Sequence, residues 1–195
     1  MIDIDKKFKK ILRKANKMQT EKLIWIDLEM TGLNYNQDVI LEIATIITDE
    51  KLNIIAEGPN LVIYHSDDVL DNMDPWCIEH HAKTGLTQAI KDSHVSMEEA
   101  EQLTLDFISQ YCEPKTSPLC GNSVWFDKIF LNKDMPELAQ FFHYRIVDVS
   151  SFKTILSVWN QKPVVFPKNK THRALDDIKE SIAELRFYKQ FFTFG

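Results

Sequence analysis

Residues 23–29 read LIWIDLE. Four consecutive apolar residues, then Leu28 between two acids, give the pattern of a strand covered on both faces. Asp27 and Glu29 stand two positions apart at its end, and the two-residue period of a strand sends both side chains to one face. Neighbouring carboxylates on a buried strand repel each other and lose hydration. No Lys or Arg lies between Lys22 and Lys51 to offset them. A bound divalent cation is the economical compensation. Taken alone, D-x-E on a strand also describes a solvent-facing edge.

Outward from this strand, a polar turn over 31–38 leads to a second strand at 39–48. A third begins at Leu52-Asn53, is interrupted near Gly58-Pro59 and resumes over 61–64. Three strands with short links predict an antiparallel meander. Residues 66–92, broken by Pro75 and Gly85, predict small helices and loops. Ser96 and Glu99 form a capping box ahead of the stripe Met97, Ala100, Leu103, Phe107, Ile108 and Tyr111, which marks an amphipathic helix. A short buried strand at 118–121, a helix around Asp127, a strand at 143–147 and helices near 151–159 and 173–191 complete the order. That order, βββ–α–β–α–β–αα, predicts an α/β fold: a mixed sheet with helices on its faces.

The chain has 195 residues, of which 44% are hydrophobic, enough for one core. Residues 1–21 carry an apolar stripe at Ile4, Phe8, Ile11, Ala15 and Met18, with lysines on the other faces. They are expected to form a basic amphipathic helix appended to a domain at 22–195. Docking on the body is the simplest role, with contact to RNA or an acidic membrane as the alternatives. No secretory h-region follows the charges, and Met18 is a second candidate start. No apolar run is long enough to suggest a membrane span. Cys77, Cys112 and Cys120 are odd in number and lack a C-x-x-C spacing, so a cytoplasmic protein without disulfides or a zinc knuckle is expected. The net charge of -6 is unevenly spread. Residues 1–22 hold eight basic and three acidic groups, residues 23–150 seven and 22, and residues 151–195 eight and four. Such an acidic middle repels a long polyanion unless metal ions intervene or only a short piece binds.

Further acids extend the first pair. Asp127 lies among Val124, Trp125, Phe126, Ile129 and Phe130, where it is either a first-turn helix residue or a ligand aimed back over the sheet. The segment THRALDDI at 171–178 offers His172, Asp176 and Asp177 as a helix begins. Adjacent helical residues point about 100° apart, so one aspartate of the pair should face a site; the i,i+4 spacing from His172 favours Asp176. Four acids and a histidine have a joint use. Two Mg²⁺ or Mn²⁺ ions about 3.5–4 Å apart can clamp a phosphodiester, one activating water and the other stabilising the leaving 3′-oxygen. A histidine of ordinary pKa, about 6.5, can accept the water's proton. Unrelated surface acids are the alternative.

The set Asp27-x-Glu29, Asp127, and His172 with Asp177 resembles the DEDDh 3′–5′ exonucleases of the ribonuclease H-like fold. Within them it is most similar to the oligoribonuclease family. The resemblance is carried by LIWIDLEMTGL at 23–33, LEIAT at 41–45, MDPW at 73–76, CGNS at 120–123, MPEL at 135–138, FHYR at 142–145, DVS at 148–150 and HRALDDI at 172–178. It covers about residues 22–192 and implies a five-stranded mixed sheet. It further implies that Asp27, Glu29, Asp127 and Asp177 hold two divalent metals with His172 as general base, choosing Asp177 where spacing chooses Asp176. It implies that Leu33 wedges between two terminal bases, that Trp76 and His81 line the 3′-nucleotide pocket, and that Ser123, Tyr144, Arg145 and Ser150 cap the 5′ phosphate. In this family Tyr144 and Arg145 reach the site from the partner of a homodimer. The implied activity is 3′-to-5′ hydrolysis of short single-stranded RNA and linear dinucleotides such as pGpG to nucleoside 5′-monophosphates, away from any membrane. An exonuclease on longer single-stranded DNA or RNA, or a non-catalytic RNA-binding module, are the competing expectations. One departure is Val124-Trp125-Phe126, where the family usually has a small or polar stretch; the two aromatics are expected to narrow the nucleotide site or to pack in the dimer interface.

Overall fold

The computed structural model describes residues 22–167 and 173–192. The helix expected over 1–21, and His172, lie outside the described residues. In chain order the elements are β1 (Lys22–Met30), β2 (Ile40–Asp49), β3 (Ile54–Val62), α1 (Asp67–Asp71), α2 (Pro75–Thr84), α3 (Leu86–Asp92) and α4 (Met97–Ser109). They continue with β4 (Pro118–Gly121), α5 (Trp125–Asp134), α6 (Pro136–Phe141), β5 (His143–Asp148), α7 (Val149–Trp159) and α8 (Ala174–Lys189).

The five strands form one sheet in the order β3-β2-β1-β4-β5. The first three pair antiparallel as the meander requires, and β4 and β5 join parallel to β1. Alternation along β1 splits the core in two. Ile24, Ile26 and Leu28 face Phe130 and Leu138 of α5 and α6, together with Ala100 and Ile108 of α4. Trp25 faces the other way, into Ala44, Ile46, Ile178, Ile182 and Tyr188, beneath α8. Asp27 and Glu29 share the parity of Trp25, so the strand's own period aims both acids to the α8 side. β2 is buried along nearly its whole length, which explains why it reads as a continuous apolar run. Among the described residues no helix is long and apolar enough to cross a membrane.

Two expectations need correction. β3 is not interrupted at Gly58-Pro59; it runs through them, and the irregularity is taken up as a register shift opposite Ala44 and Ile46 of β2. Pro59 is tolerated because β3 is an edge strand, where a missing N–H breaks no ladder. A glycine is needed at 58 because the Phe107 ring of α4 occupies the space of a Cβ. The sequence pattern also passes over α6, a six-residue helix opened by Pro136.

Ile26 is fully buried immediately before Asp27. Ile26→Ala should lower stability by about 2–5 kcal/mol through lost burial and a residual cavity. Urea unfolding with an unchanged m-value is the measurement, and a loss below about 1 kcal/mol would contradict this placement.

Candidate active site

The acidic site forms where β4 stops short. β4 pairs with β1 only at Ile24 and Trp25. Past that pairing the Leu28 N–H is taken by a side chain instead, donating to Asp127 Oδ1 at 3.1 Å. Asp127 sits in the first turn of α5, and Asp177 in the first turn of α8. Both acids therefore occupy the positive ends of helix dipoles, which favour carboxylates. Ligand oxygens of Asp27, Glu29 and Asp177 lie within 4.8 Å of one another. Asp176 is exposed, whereas Asp177 is half-buried. The structure thus brings Asp177 to the D-x-E pair and turns Asp176 away, against the i,i+4 expectation.

Crowding shows in the proton affinities. Burial, and then the charges of Asp127, Asp177, Glu29 and Glu42, push the Asp27 carboxyl well above its ordinary range. Glu29 is pushed up to about 8, chiefly by desolvation and by Asp177 and Glu42, with Arg173 opposing. Asp127 is pushed up to about 7 by burial; its backbone N–H partners oppose this and the charge of Asp148 adds to it. An all-oxygen donor set that repels itself to this degree fits Mg²⁺ or Mn²⁺, which take hard oxygen ligands.

Around the cluster, the turn that carries Leu33 is stapled by Asp38, which accepts from Thr31 Oγ1 at 2.7 Å and from the Asn34 N–H at 2.7 Å. Leu33 projects with 72% of its surface exposed. The Asp74 N–H donates to the Thr31 carbonyl at 2.8 Å, setting the start of α2 beside this turn. There Trp76 is 59% exposed and stacks on His80, with ring centroids 4.4 Å apart and planes within 5°. His81 lies beneath this surface. It is 1% exposed, and its Nε2 meets the Met30 carbonyl at 3.0 Å. Its contact is thus with the end of β1.

Ser123 and Ser150 meet on one acceptor. Asp148 Oδ1 receives the Ser123 N–H at 2.9 Å, the Ser150 N–H at 2.9 Å and the Ser150 hydroxyl at 2.6 Å. Tyr144 and Arg145 are not brought to them. They precede Asp148 on β5 by four and three residues, about 13 and 10 Å along the strand. Tyr144 is 72% exposed, with the Arg145 guanidinium 5.3 Å from its ring centroid. Trp125 is exposed and Phe126 partly buried, the two rings meeting edge to face.

Several contributors escape a reading by motif. Glu42 pairs in register with Glu29 and is fully buried against Arg173. Asn122 Nδ2 donates to Ser181 Oγ at 2.9 Å and to Glu184 Oε2 at 2.8 Å, tying the β4–α5 loop to α8. A charged residue inside the buried run LEIAT was the available signal for Glu42.

The raised carboxyls have a consequence for the metal-free protein. Glu29 has an ordinary value of 4.5 and a folded value of about 8. Its proton-linked stability is complete below 4.5 and disappears as pH rises through 8, because the folded state binds the extra proton. The melting temperature of the metal-free wild type should therefore fall more steeply between pH 5 and pH 8 than that of Glu29→Gln. Parallel slopes in scanning calorimetry would contradict the assignment.

Residues 24–185 match the RNase T exonuclease family model. An oligoribonuclease of Francisella tularensis is 54% identical over 170 residues, covering 87% of this chain and 95% of that protein. An oligoribonuclease of Colwellia psychrerythraea is 54% identical over 173 residues, covering 87% and 94%. Among solved structures, exonuclease I of E. coli in complex with a dT13 oligonucleotide superposes with a TM-score of 0.66 at 18% identity. Exonuclease I of Methylocaldum szegediense superposes with a TM-score of 0.65 at 20% identity. This chain spans about two fifths of those exonuclease I chains, so they share its fold over that part. The fold is the ribonuclease H-like one. On the family model and on these identities, the chain belongs to the oligoribonuclease family of metal-dependent 3′–5′ exoribonucleases.

Proposed function

We propose that this exoribonuclease acts in the cytoplasm as a homodimer on very short RNAs, dinucleotides above all, and releases nucleoside 5′-monophosphates from the 3′ end. The observation that carries the reading is the gathering of Asp27, Glu29 and Asp177 within 4.8 Å, with Asp127 on the adjoining backbone N–H. These four would hold two divalent ions, Mg²⁺ or Mn²⁺, which when bound supply a more acidic attacking water and charge stabilisation at the leaving oxygen. The residues do the rest. His172 immediately precedes the segment that carries Asp177 and would take the attacking water's proton. Cleavage separates phosphorus from the 3′-oxygen of the preceding nucleotide, leaving the phosphate on the released residue.

Leu33, exposed on a braced turn, would part the two bases, with Trp76 packing against the 3′ nucleotide. Stacking tolerates any base because every base has a π-face. In this reading His81 lines the same pocket from below, holding the end of β1. Ser123 and Ser150, together with Tyr144 and Arg145 of the partner subunit, would close around the 5′ phosphate and leave no path for a longer strand. The three thiols are free and buried, which suits a reducing compartment.

RNAs of graded length test the proposal. Hydrolysis should disappear with EDTA and return with Mn²⁺, and a dinucleotide should turn over at least tenfold faster than a 20-mer. Equal rates would favour an exonuclease for longer strands. Leu33→Ala and Tyr144→Ala should each lower dinucleotide kcat/KM by roughly tenfold or more, about 1.4 kcal/mol of transition-state stabilisation.

A further inference from the structure

We infer that Glu42 and Arg173, a partly buried ion pair outside the proposed ligand set, are the positioning residues that set the metal affinity of the site by holding the first turn of α8 against β1 and β2. The inference rests on the metal-site reading above. Glu42 lies opposite Glu29 in the β1–β2 register, so the two carboxylates share the face that α8 covers. Their partners differ. Arg173 Nε donates to Glu42 Oε1 and Oε2 at 3.2 and 3.0 Å, and Nη2 donates to Oε1 at 2.7 Å.

Arg173 is the N-cap residue of α8, yet its side chain makes no capping bond. The Ala174 N–H donates instead to Glu42 Oε2 at 3.4 Å. A strand residue thereby supplies the carboxylate that the helix start lacks, and a bidentate fork fixes its orientation. Asp177 follows one turn later, with its N–H on the Arg173 carbonyl at 3.0 Å. Slack at Arg173 is transmitted directly to the carboxylate that must meet Asp27 and Glu29. The guanidinium is bonded to Glu42, and its charge only partly offsets that of Glu29.

Mn²⁺ binding by titration calorimetry tests this on the full chain, with melting temperature and metal-dependent turnover alongside. Glu42→Gln, Arg173→Lys and the apolar double variant Glu42→Met/Arg173→Met should each weaken Mn²⁺ binding by about 10–100-fold, the range for residues that orient ligands. Turnover should recover at high Mn²⁺, so the apparent metal requirement rises while kcat changes little. Lys179→Met, which breaks the surface bridge from α8 to Glu57 at 3.0 Å, should leave Mn²⁺ affinity unchanged. The double variant replaces the pair by apolar groups so that the fold survives. Arg173→Lys is decisive should the others not fold. Mn²⁺ affinity within twofold of wild type in the folded variants would overturn the inference. Asp177→Asn separates the two ideas: Mn²⁺ binding at wild-type affinity in that variant would refute the metal site itself.

Discussion

Repulsion among carboxylates at the open end of β1 is the constraint around which this fold is arranged. Two unit charges 4.8 Å apart repel by about 3 kcal/mol at an effective dielectric of about 20, before any desolvation is counted. Asp27 is flanked by the fully buried Ile26 and the nearly buried Leu28, so it cannot swing away into water. The metal-free protein relieves the conflict by binding protons, which is why Glu29 holds its proton up to about pH 8. A divalent ion relieves it in another way, and only that way leaves the oxygens free of protons near neutral pH.

Other parts of the structure offset the same repulsion in smaller amounts. α5 and α8 approach from different layers, yet each presents its first turn to the cluster and carries one acid there. Each helix therefore contributes the positive end of its dipole. The short length of β4 leaves the Leu28 N–H to Asp127, so a ladder position becomes a side-chain anchor. On the far side, Tyr188 donates to Glu184 at 2.7 Å while Asn122 donates to the other Glu184 oxygen. These bonds lock the middle of α8 to the loop that precedes Asp127. The two helices that carry acids from outside the sheet are thus cross-braced, and neither can drift independently.

What is legible in the sequence follows local periodicity, and what is hidden depends on register or on neighbours. LIWIDLE yields the central strand and the shared face of Asp27 and Glu29 because a two-residue period needs no tertiary information. The choice between Asp176 and Asp177 goes wrong on spacing because α8 begins at Ala174, so an i,i+4 count from His172 straddles the helix start. Family resemblance points to the residue that the geometry brings in. Pro59 reads as a break only if β3 is assumed to be internal, and strand order cannot be seen in one strand's sequence. His80 and His81 are adjacent on a helix and point in different directions. The i,i+4 spacing of Trp76 and His80 was readable as a stack, whereas the inward course of His81 to Met30 depends on where β1 ends. Glu42 gives no local signal of its partner, because Arg173 is 131 residues away.

The acidic body and the cap proposed for the 5′ phosphate point to one conclusion about substrate length. A hydroxyl that donates to Asp148 offers a phosphate lone pairs rather than a proton, and this is the state of Ser150. The Ser123 N–H is engaged by the same oxygen. Asp148 therefore organises the two serines by accepting from the Ser150 hydroxyl and from both backbone N–H groups, and it places a negative charge where a phosphate is expected. Among the described residues, the hydrogen bonds of this group bring no cation to the two serines. In the proposed dimer, Arg145, three residues before Asp148 on β5, would supply that charge from the second subunit. A phosphate would then be held where the two subunits of that dimer meet. With 22 acidic and seven basic groups, residues 23–150 disfavour the passage of a longer strand. On the proposed reading, short RNA would be bound by its ends because the charge between them opposes a longer hold.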